Sequence, residues 1–443
     1  MNRVPTMKTV IKALLPAHAG RNGFYPTHYP PIDSWPRAGR SAASVPALWE
    51  RASTAFRTGM YAHVPFCASR CDFCFIPVEP YRGKEHAERF LRAMRTETAL
   101  LAPSFSGRRF DSLYVGGGTP TILDKRALGE FFSALRGAFS FEKGMPFSVE
   151  TSPQFLDRGK LLLLARQGVS WISMGLQSLD QEVVSRAGRA QSNSRLPEVF
   201  RAARDCGIPH INIDLLIGLG GQSAEGFLED VKRTASWRPD QVHLNVYKPV
   251  RGVKDPLRKR MRTLLQEKAM SLLLREGYTR LDGDSAVLTR EGQNKCASVD
   301  FCLTHHLLGL GPVSLSHIWG AARYENFPSF DSYAAALERG RLPISRLVTL
   351  DAVSEMRHYV IANAERNARI PSAAFKERFG KPLESEFGRE LSELESRGLL
   401  ESTENGYSLK EAPEAVPLFY SRFCEASVLR RLAATGENRA RSK

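Results

Sequence analysis

Between Met60 and Val246, six short runs rich in β-branched and apolar residues alternate with longer amphipathic stretches. No other feature of the chain restricts its fold as much. The runs are Met60–Val64, Ser112–Val115, Phe147–Thr151, Trp171–Gly175, His210–Leu216 and Gln241–Val246, and between them His86–Leu101 and Lys125–Phe139 carry the apolar spacing of covering helices. Strands joined by crossovers of this length pair in parallel and are buried on both faces. The pattern therefore predicts an α/β protein whose ligands meet the carboxyl ends of the strands, and it leaves open either a partial (β/α)6 barrel or an open doubly wound sheet.

At 443 residues the chain is long enough for two or three structural units. Residues 1–55 are rich in Pro, Gly, Arg and Ser but include Phe24, Tyr25, Tyr29 and Trp35, which suits an N-terminal arm wrapped on a domain. The strand-helix unit, partial barrel or open sheet, is expected over 56–285, an extension over 286–346 and a helical, winged-helix-like domain over 347–443. In that last region Asp351–Asn367, Pro371–Phe379 and Glu384–Arg397 precede a polar hairpin through Asn405-Gly406. The third helix is rich in Glu where a DNA-reading helix needs Arg, Lys and Asn, so a lid is expected there and nucleic acid is not.

The net charge of +15 points to an acidic partner or an anionic small-molecule substrate. A basic run, Arg251, Lys254, Arg258, Lys259, Arg260 and Arg262, reads as a solvated helix face, with a counter-charge for carboxylate or phosphate as the functional alternative. No apolar run reaches the length of a membrane span and Met1 to Gly20 lack a secretory pattern, so a cytoplasmic enzyme is expected.

Seven cysteines are present; three crowd into Cys67-Ala-Ser-Arg-Cys71-Asp-Phe-Cys74, while Cys206, Cys296, Cys302 and Cys424 are scattered. That is a ligand pattern rather than a disulfide framework. Three thiolates can hold a four-iron cube and leave one iron open to chelate a substrate. A zinc site would want a fourth Cys or His nearby.

Cys-x-x-x-Cys-x-x-Cys after Tyr61-Ala-His63-Val-Pro65-Phe66 resembles the radical S-adenosylmethionine (SAM) superfamily, in particular its HemN-like branch. That branch holds oxygen-independent coproporphyrinogen III dehydrogenases, heme chaperones, heme-degrading methyltransferases, and C-methylating or cyclopropane-forming enzymes. The resemblance implies a radical SAM barrel, a [4Fe-4S] cluster on Cys67, Cys71 and Cys74, reductive SAM cleavage, and an electron donor such as flavodoxin or ferredoxin. It also implies SAM contacts from Gly117, Gly118 and Thr119 in Gly116-Gly117-Gly118-Thr119-Pro120, and from Glu150, Gln177 and Asp214 at strand ends. Arg189 would meet the SAM carboxylate. Tyr61 would lie near the sulfonium as a contact and catalytic residue.

Two departures bear on the reaction. The coproporphyrinogen dehydrogenases carry a further cysteine where this chain has Ile76, and an Asn-Phe-x-Gly-Tyr stretch where it has Asn294-Lys-Cys296-Ala-Ser-Val-Asp-Phe-Cys302-Leu-Thr-His305-His306. By exclusion, the sequence predicts methyl or methylene transfer to an unsaturated carbon from a second SAM. Coproporphyrinogen III dehydrogenase and a heme-binding or heme-degrading protein are the alternatives. Cys296, Cys302, His305 and His306 invite a second metal, although adjacent histidines point apart on a regular element. A non-catalytic heme-delivery factor or DNA sensor would make little 5′-deoxyadenosine.

Overall fold

The computed structural model describes residues 29–247, 259–294, 305–410, 419 and 422–431. The six anticipated strands are present as β1 (Arg57–Val64), β2 (Ser112–Gly117), β3 (Phe147–Thr151), β4 (Trp171–Gln177), β5 (His210–Ile217) and β6 (Gln241–Val246). Six more complete the sheet: β7 (Thr279–Arg280), β8 (Ser285–Val287), β9 (His305–Leu310), β10 (Leu315–Ile318), β11 (Ala322–Asn326) and β12 (Ile344–Thr349). Their spatial order is β7-β8-β6-β5-β4-β3-β2-β1-β9-β10-β11-β12.

Strands β1 to β6 lie side by side in chain order and are all parallel. A doubly wound sheet reverses its strand order midway, and this one does not. Right-handed crossovers that always advance in one direction place their helices on one face. The helix α1 (Val45–Glu50) precedes β1, and the crossover helices are α2 (Lys84–Leu101), α3 (Lys125–Ala138), α4 (Arg158–Arg166), α5 (Gln181–Arg186), α6 (Leu196–Asp205) and α7 (Ala224–Ser236). Several begin on side-chain caps: Asp124 accepts from the Ala127 amide, Asp157 from that of Lys160, and Ser223 from that of Gly226.

The six parallel strands do not close on themselves. The far edge of β1 pairs in parallel with β9, and the far edge of β6 pairs antiparallel with β8. Residues 286–346 thus add strands to the same sheet.

Alternation along the strands separates two faces. Met60, Ala62, Val64, Leu113, Val115, Val149, Ile172, Met174, Ile211, Ile213, Val242 and Leu244 join one core with Phe90, Phe131 and Phe132 of the helices. The opposite face carries the polar positions. Glu150, Ser173, Asn212 and Gln241 line up across β3 to β6, and above them Gly175, Asp214 and His243.

The last three members of the basic run, Lys259, Arg260 and Arg262, lie in the helix α8 (Lys259–Arg275). Arg251, Lys254 and Arg258 lie outside the described residues, and Arg262 is buried, so at that position the solvated-face reading fails. The helix α9 (Phe330–Glu338) packs on α2, and beyond β12 a second core gathers Met356, Tyr359, Phe375, Phe387, Leu391 and Phe423 around Tyr29. It is built from α10 (Ala352–Asn367), α11 (Ser372–Phe379) and α12 (Leu383–Ser396) with a three-stranded sheet of β13 (Arg369–Pro371), β14 (Leu400–Thr403) and β15 (Gly406–Leu409). From Tyr29 onward the arm runs along β12, where the Leu347 amide donates to Pro36 and the Ala38 amide to Ser345. Phe24 and Tyr25 lie outside the described residues.

Candidate active site

Cys67, Cys71 and Cys74 sit on the loop leaving the carboxyl end of β1, half-buried and in no disulfide. Two contacts fix this loop against the turn after α5: Ser69 Oγ donates to the Gly188 carbonyl (2.7 Å), and the Asp72 amide donates to Ala187 (3.1 Å). Phe73 packs on Val183, Ala187, Leu219 and Tyr247. Burial pushes the Cys67 thiol up to about 11, against a contact with Thr119 Oγ1 at 3.6 Å. Burial raises Cys71 and Cys74 too, while the Arg189 guanidinium at Cys71 opposes the rise.

Among the described residues, no three His, Cys, Asp or Glu side chains converge closely enough to hold one metal ion. The ligands of a cube each meet a different iron, so they stand wider apart than the donors of a single ion. Three thiols on one fastened loop with an arginine beside them suit such a cluster. A further observation points to a ligand here. His63 is buried with Nδ1 at 2.9 Å from the Tyr61 hydroxyl, and among the described residues its Nε2 has no hydrogen-bond partner. Burial lowers its pKa to about 4.

The glycine segment is shaped by its own neighbours. A side chain at Gly117, where φ is +111°, would collide with His63, and one at Gly118 would lie 2.4 Å from the Phe66 carbonyl oxygen. The amides of Gly117, Gly118 and Thr119 already donate to Glu150 Oε2, Val64 and Phe66, at 3.0, 2.8 and 2.7 Å. The protein's own packing already requires glycine at both positions. An anion finds no donor in those three amides.

Glu150 also accepts from the Tyr114 hydroxyl at 2.7 Å, and Tyr114 stacks on Tyr61 with ring centroids 5.9 Å apart. Burial outweighs both donors and pushes the Glu150 carboxyl up to about 7. Gln177 closes β4 with φ of +69°, at a register shift opposite Leu215. A Cβ on Gly175 would lie 2.8 Å from Gln177 Nε2 and 3.3 Å from an Arg189 guanidinium nitrogen, so the two anticipated residues meet over a glycine. Arg189 itself donates to the Gly175 carbonyl and to Gln191 Oε1. Asp214 accepts from Ser173 Oγ and Asn212 Nδ2, each at 3.0 Å.

The structure thus brings Tyr61, the thiols, Thr119, Glu150, Gln177 and Arg189 to neighbouring strand ends, with Asp214 beside Gly175. It adds Tyr114, Ser173, Asn212 and His243, which the sequence reading missed. Their signal was available: each is a polar residue at period two within an otherwise apolar strand, and such a residue is costly unless it serves something. A second metal on His305 and His306 finds no support, because each ring is engaged elsewhere. His305 Nε2 lies 3.0 Å from Asp111; His306 Nδ1 accepts from the Trp319 amide and its Nε2 donates to the Ser53 carbonyl. Cys296 and Cys302 lie outside the described residues.

Residues 61–234 match the Radical SAM superfamily. A curated oxygen-independent coproporphyrinogen III oxidase from Helicobacter pylori is 29% identical over 379 residues, which cover 79% of this chain and 82% of the relative. Counterparts of the same description from Salmonella typhimurium and Escherichia coli are each 29% identical, over 78% of this chain and 80% of the relative. The solved coproporphyrinogen III oxidase of Escherichia coli shares the fold with a TM-score of 0.73 at 23% identity, over 90% of this chain and 93% of that one. Likeness that runs through so much of the chain overturns the expectation of methyl or methylene transfer from a second SAM, which rested on two local departures. Residues 61–234 thus carry the Radical SAM match, and the chain along most of its length is similar to the oxygen-independent coproporphyrinogen III oxidases.

Proposed function

We propose that the protein carries out the oxygen-independent oxidative decarboxylation of coproporphyrinogen III. The observation that carries this reading is the likeness to curated oxidases along about four-fifths of both chains. The departure at Ile76 is compatible with it, because that position lies outside the three-thiol set and its loss removes no ligand. The four propionates of the substrate make it anionic, which suits a chain of net charge +15.

In this reading Cys67, Cys71 and Cys74 hold a [4Fe-4S] cluster, which together with SAM supplies a carbon radical able to abstract a hydrogen atom. Arg189 receives the SAM carboxylate, since the glycine-segment amides are committed elsewhere. Glu150 and Asp214 face the ribose, Gly117, Gly118, Thr119 and Gln177 border the amino acid end, and Tyr61 offers its ring face to the sulfonium. The region beyond β12 has the element order of a winged helix and serves as a packing lid, not a DNA reader. A cytoplasmic flavodoxin- or ferredoxin-type donor supplies the electron.

Anaerobic incubation of the reconstituted protein with SAM, a strong reductant and coproporphyrinogen III tests the reading. Oxidation of the products should reveal porphyrins with three and two carboxylates. Recovery of coproporphyrin alone, with 5′-deoxyadenosine nevertheless formed, would contradict it.

A further inference from the structure

The polar face of the sheet carries a hydrogen-bond relay that none of these roles uses. The Asn294 amide donates to Gln241 Oε1 (2.9 Å), and Asn294 Nδ2 donates to Ser148 Oγ (2.9 Å). An oxygen that accepts from a backbone amide identifies which end of the Gln241 carboxamide is nitrogen. Gln241 Nε2 then faces His243 Nε2 at 2.8 Å. A carboxamide nitrogen only donates, so His243 Nε2 accepts and the ring proton lies on Nδ1. Nδ1 faces Asp214 Oδ1 at 3.6 Å. That is longer than a hydrogen bond, so the attraction runs from an N–H dipole to a carboxylate.

The surroundings hold this arrangement in place. Asp214 accepts from Ser173 Oγ and Asn212 Nδ2, and Asn212 Nδ2 also donates to Ser173 Oγ at 2.8 Å. A second carboxylate within electrostatic reach of His243 is Asp282. It already accepts from the Asp284 and Ser285 amides and from Ser285 Oγ.

We propose that His243 is a positioning residue for Asp214, with its Nδ1 proton turned toward that carboxylate by the relay through Asn294 and Gln241. The proposal rests on the reading that Asp214 meets the ribose of SAM. It ties Asn294, at the head of the stretch that replaces Asn-Phe-x-Gly-Tyr, to the nucleotide end of the site.

The tautomer can be read without cofactor, from imidazole nitrogen shifts of the full chain labelled at histidine and assigned with His243→Asn. His243 should show a protonated Nδ1 and a bare Nε2. Gln241→Glu replaces a donor by an acceptor of the same shape and should bring a proton to Nε2. In the reconstituted protein His243→Leu should weaken SAM binding about three- to tenfold, the loss of one modest polar contact. His243→Asn, whose amide nitrogen can stand where Nδ1 stands, should restore most of the affinity. A wild-type Nε2–H tautomer, or unchanged SAM affinity in His243→Leu when Asp214→Ala weakens it, would overturn the proposal. Unchanged affinity in Asp214→Ala would instead remove the ribose reading, leaving the tautomer and its response to Gln241→Glu to decide the relay.

Discussion

Ser69 Oγ donates to the Gly188 carbonyl across 2.7 Å, and this fastens the loop bearing the three thiols to the turn bearing Arg189. The guanidinium reaches Cys71 on one side and the Gly175 carbonyl on the other, so one cation serves both the ligand loop and a strand end. Arg189→Ala should retain the fold and weaken SAM binding by roughly 1.5–3 kcal/mol, the range for hydrogen bonds to charged groups. Arg189→Lys should recover only part of this, since an ammonium cannot present two parallel donors. Titration of SAM onto the reconstituted variants checks both.

Serine at Cys67, Cys71 or Cys74 should leave fewer irons and sulfides per chain after anaerobic reconstitution, because a cube with one open iron has no thiolate to spare. Serine at Cys206, which is buried among apolar side chains of the main core, should cost stability but keep the iron count. Iron and acid-labile sulfide analysis of the four variants distinguishes the outcomes.

Burial pushes the carboxyls of Glu97 and Glu150 from 4.5 up to about 7. Glu97 accepts from Tyr333, Asn326 and the Gly311 amide, and Glu150 from Tyr114 and the Gly117 amide, yet desolvation is the larger effect at both. An acid whose pKa is higher in the folded chain binds its proton more tightly there. The stability this brings is fully present below pH 4.5 and is lost as pH rises through about 7. These two carboxyls should therefore move thermal unfolding to lower temperature across that window, against an opposite contribution from His63 and His306, which burial lowers to about 4. Glu150→Gln keeps an acceptor for Tyr114 and should flatten the dependence; an unchanged slope would remove Glu150 from it.

Much of this was legible in the sequence. All six parallel strands β1 to β6 and the covering helices over Lys84–Leu101 and Lys125–Ala138 follow from periodicity, because burial on one side of an element leaves a repeating mark. The strand order and the seventh parallel strand, His305–Leu310, were not legible, since pairing partners far apart in the chain leave no local signal. The candidate site was legible where a motif spacing named it, as at the thiols and Arg189. At Gln241 and His243, two apart on one strand, only the polar alternation was legible; Asn294, which the fold brings beside Gln241 from 53 residues away, left no local signal. The reaction was misread because two absent motif elements were weighed above the continuous likeness of the rest of the chain.

Gly118→Ala places a methyl 2.4 Å from the Phe66 carbonyl oxygen, a backbone atom that cannot swing aside. The strand end beside Cys67 must move, at a cost of about 1–3 kcal/mol, as for other overpacked sites. The same change at Gly137, where nothing lies within 4 Å, should be neutral or slightly stabilising. Chemical denaturation of the two variants, compared at equal slope, measures the difference.

The central claim is that the radical serves decarboxylation, and turnover of coproporphyrinogen III with methyl-labelled SAM tests it most directly. Each carbon dioxide released should be matched by one 5′-deoxyadenosine, with all methyl label recovered in methionine. Label in the porphyrin together with S-adenosylhomocysteine, and no carbon dioxide, would contradict the account.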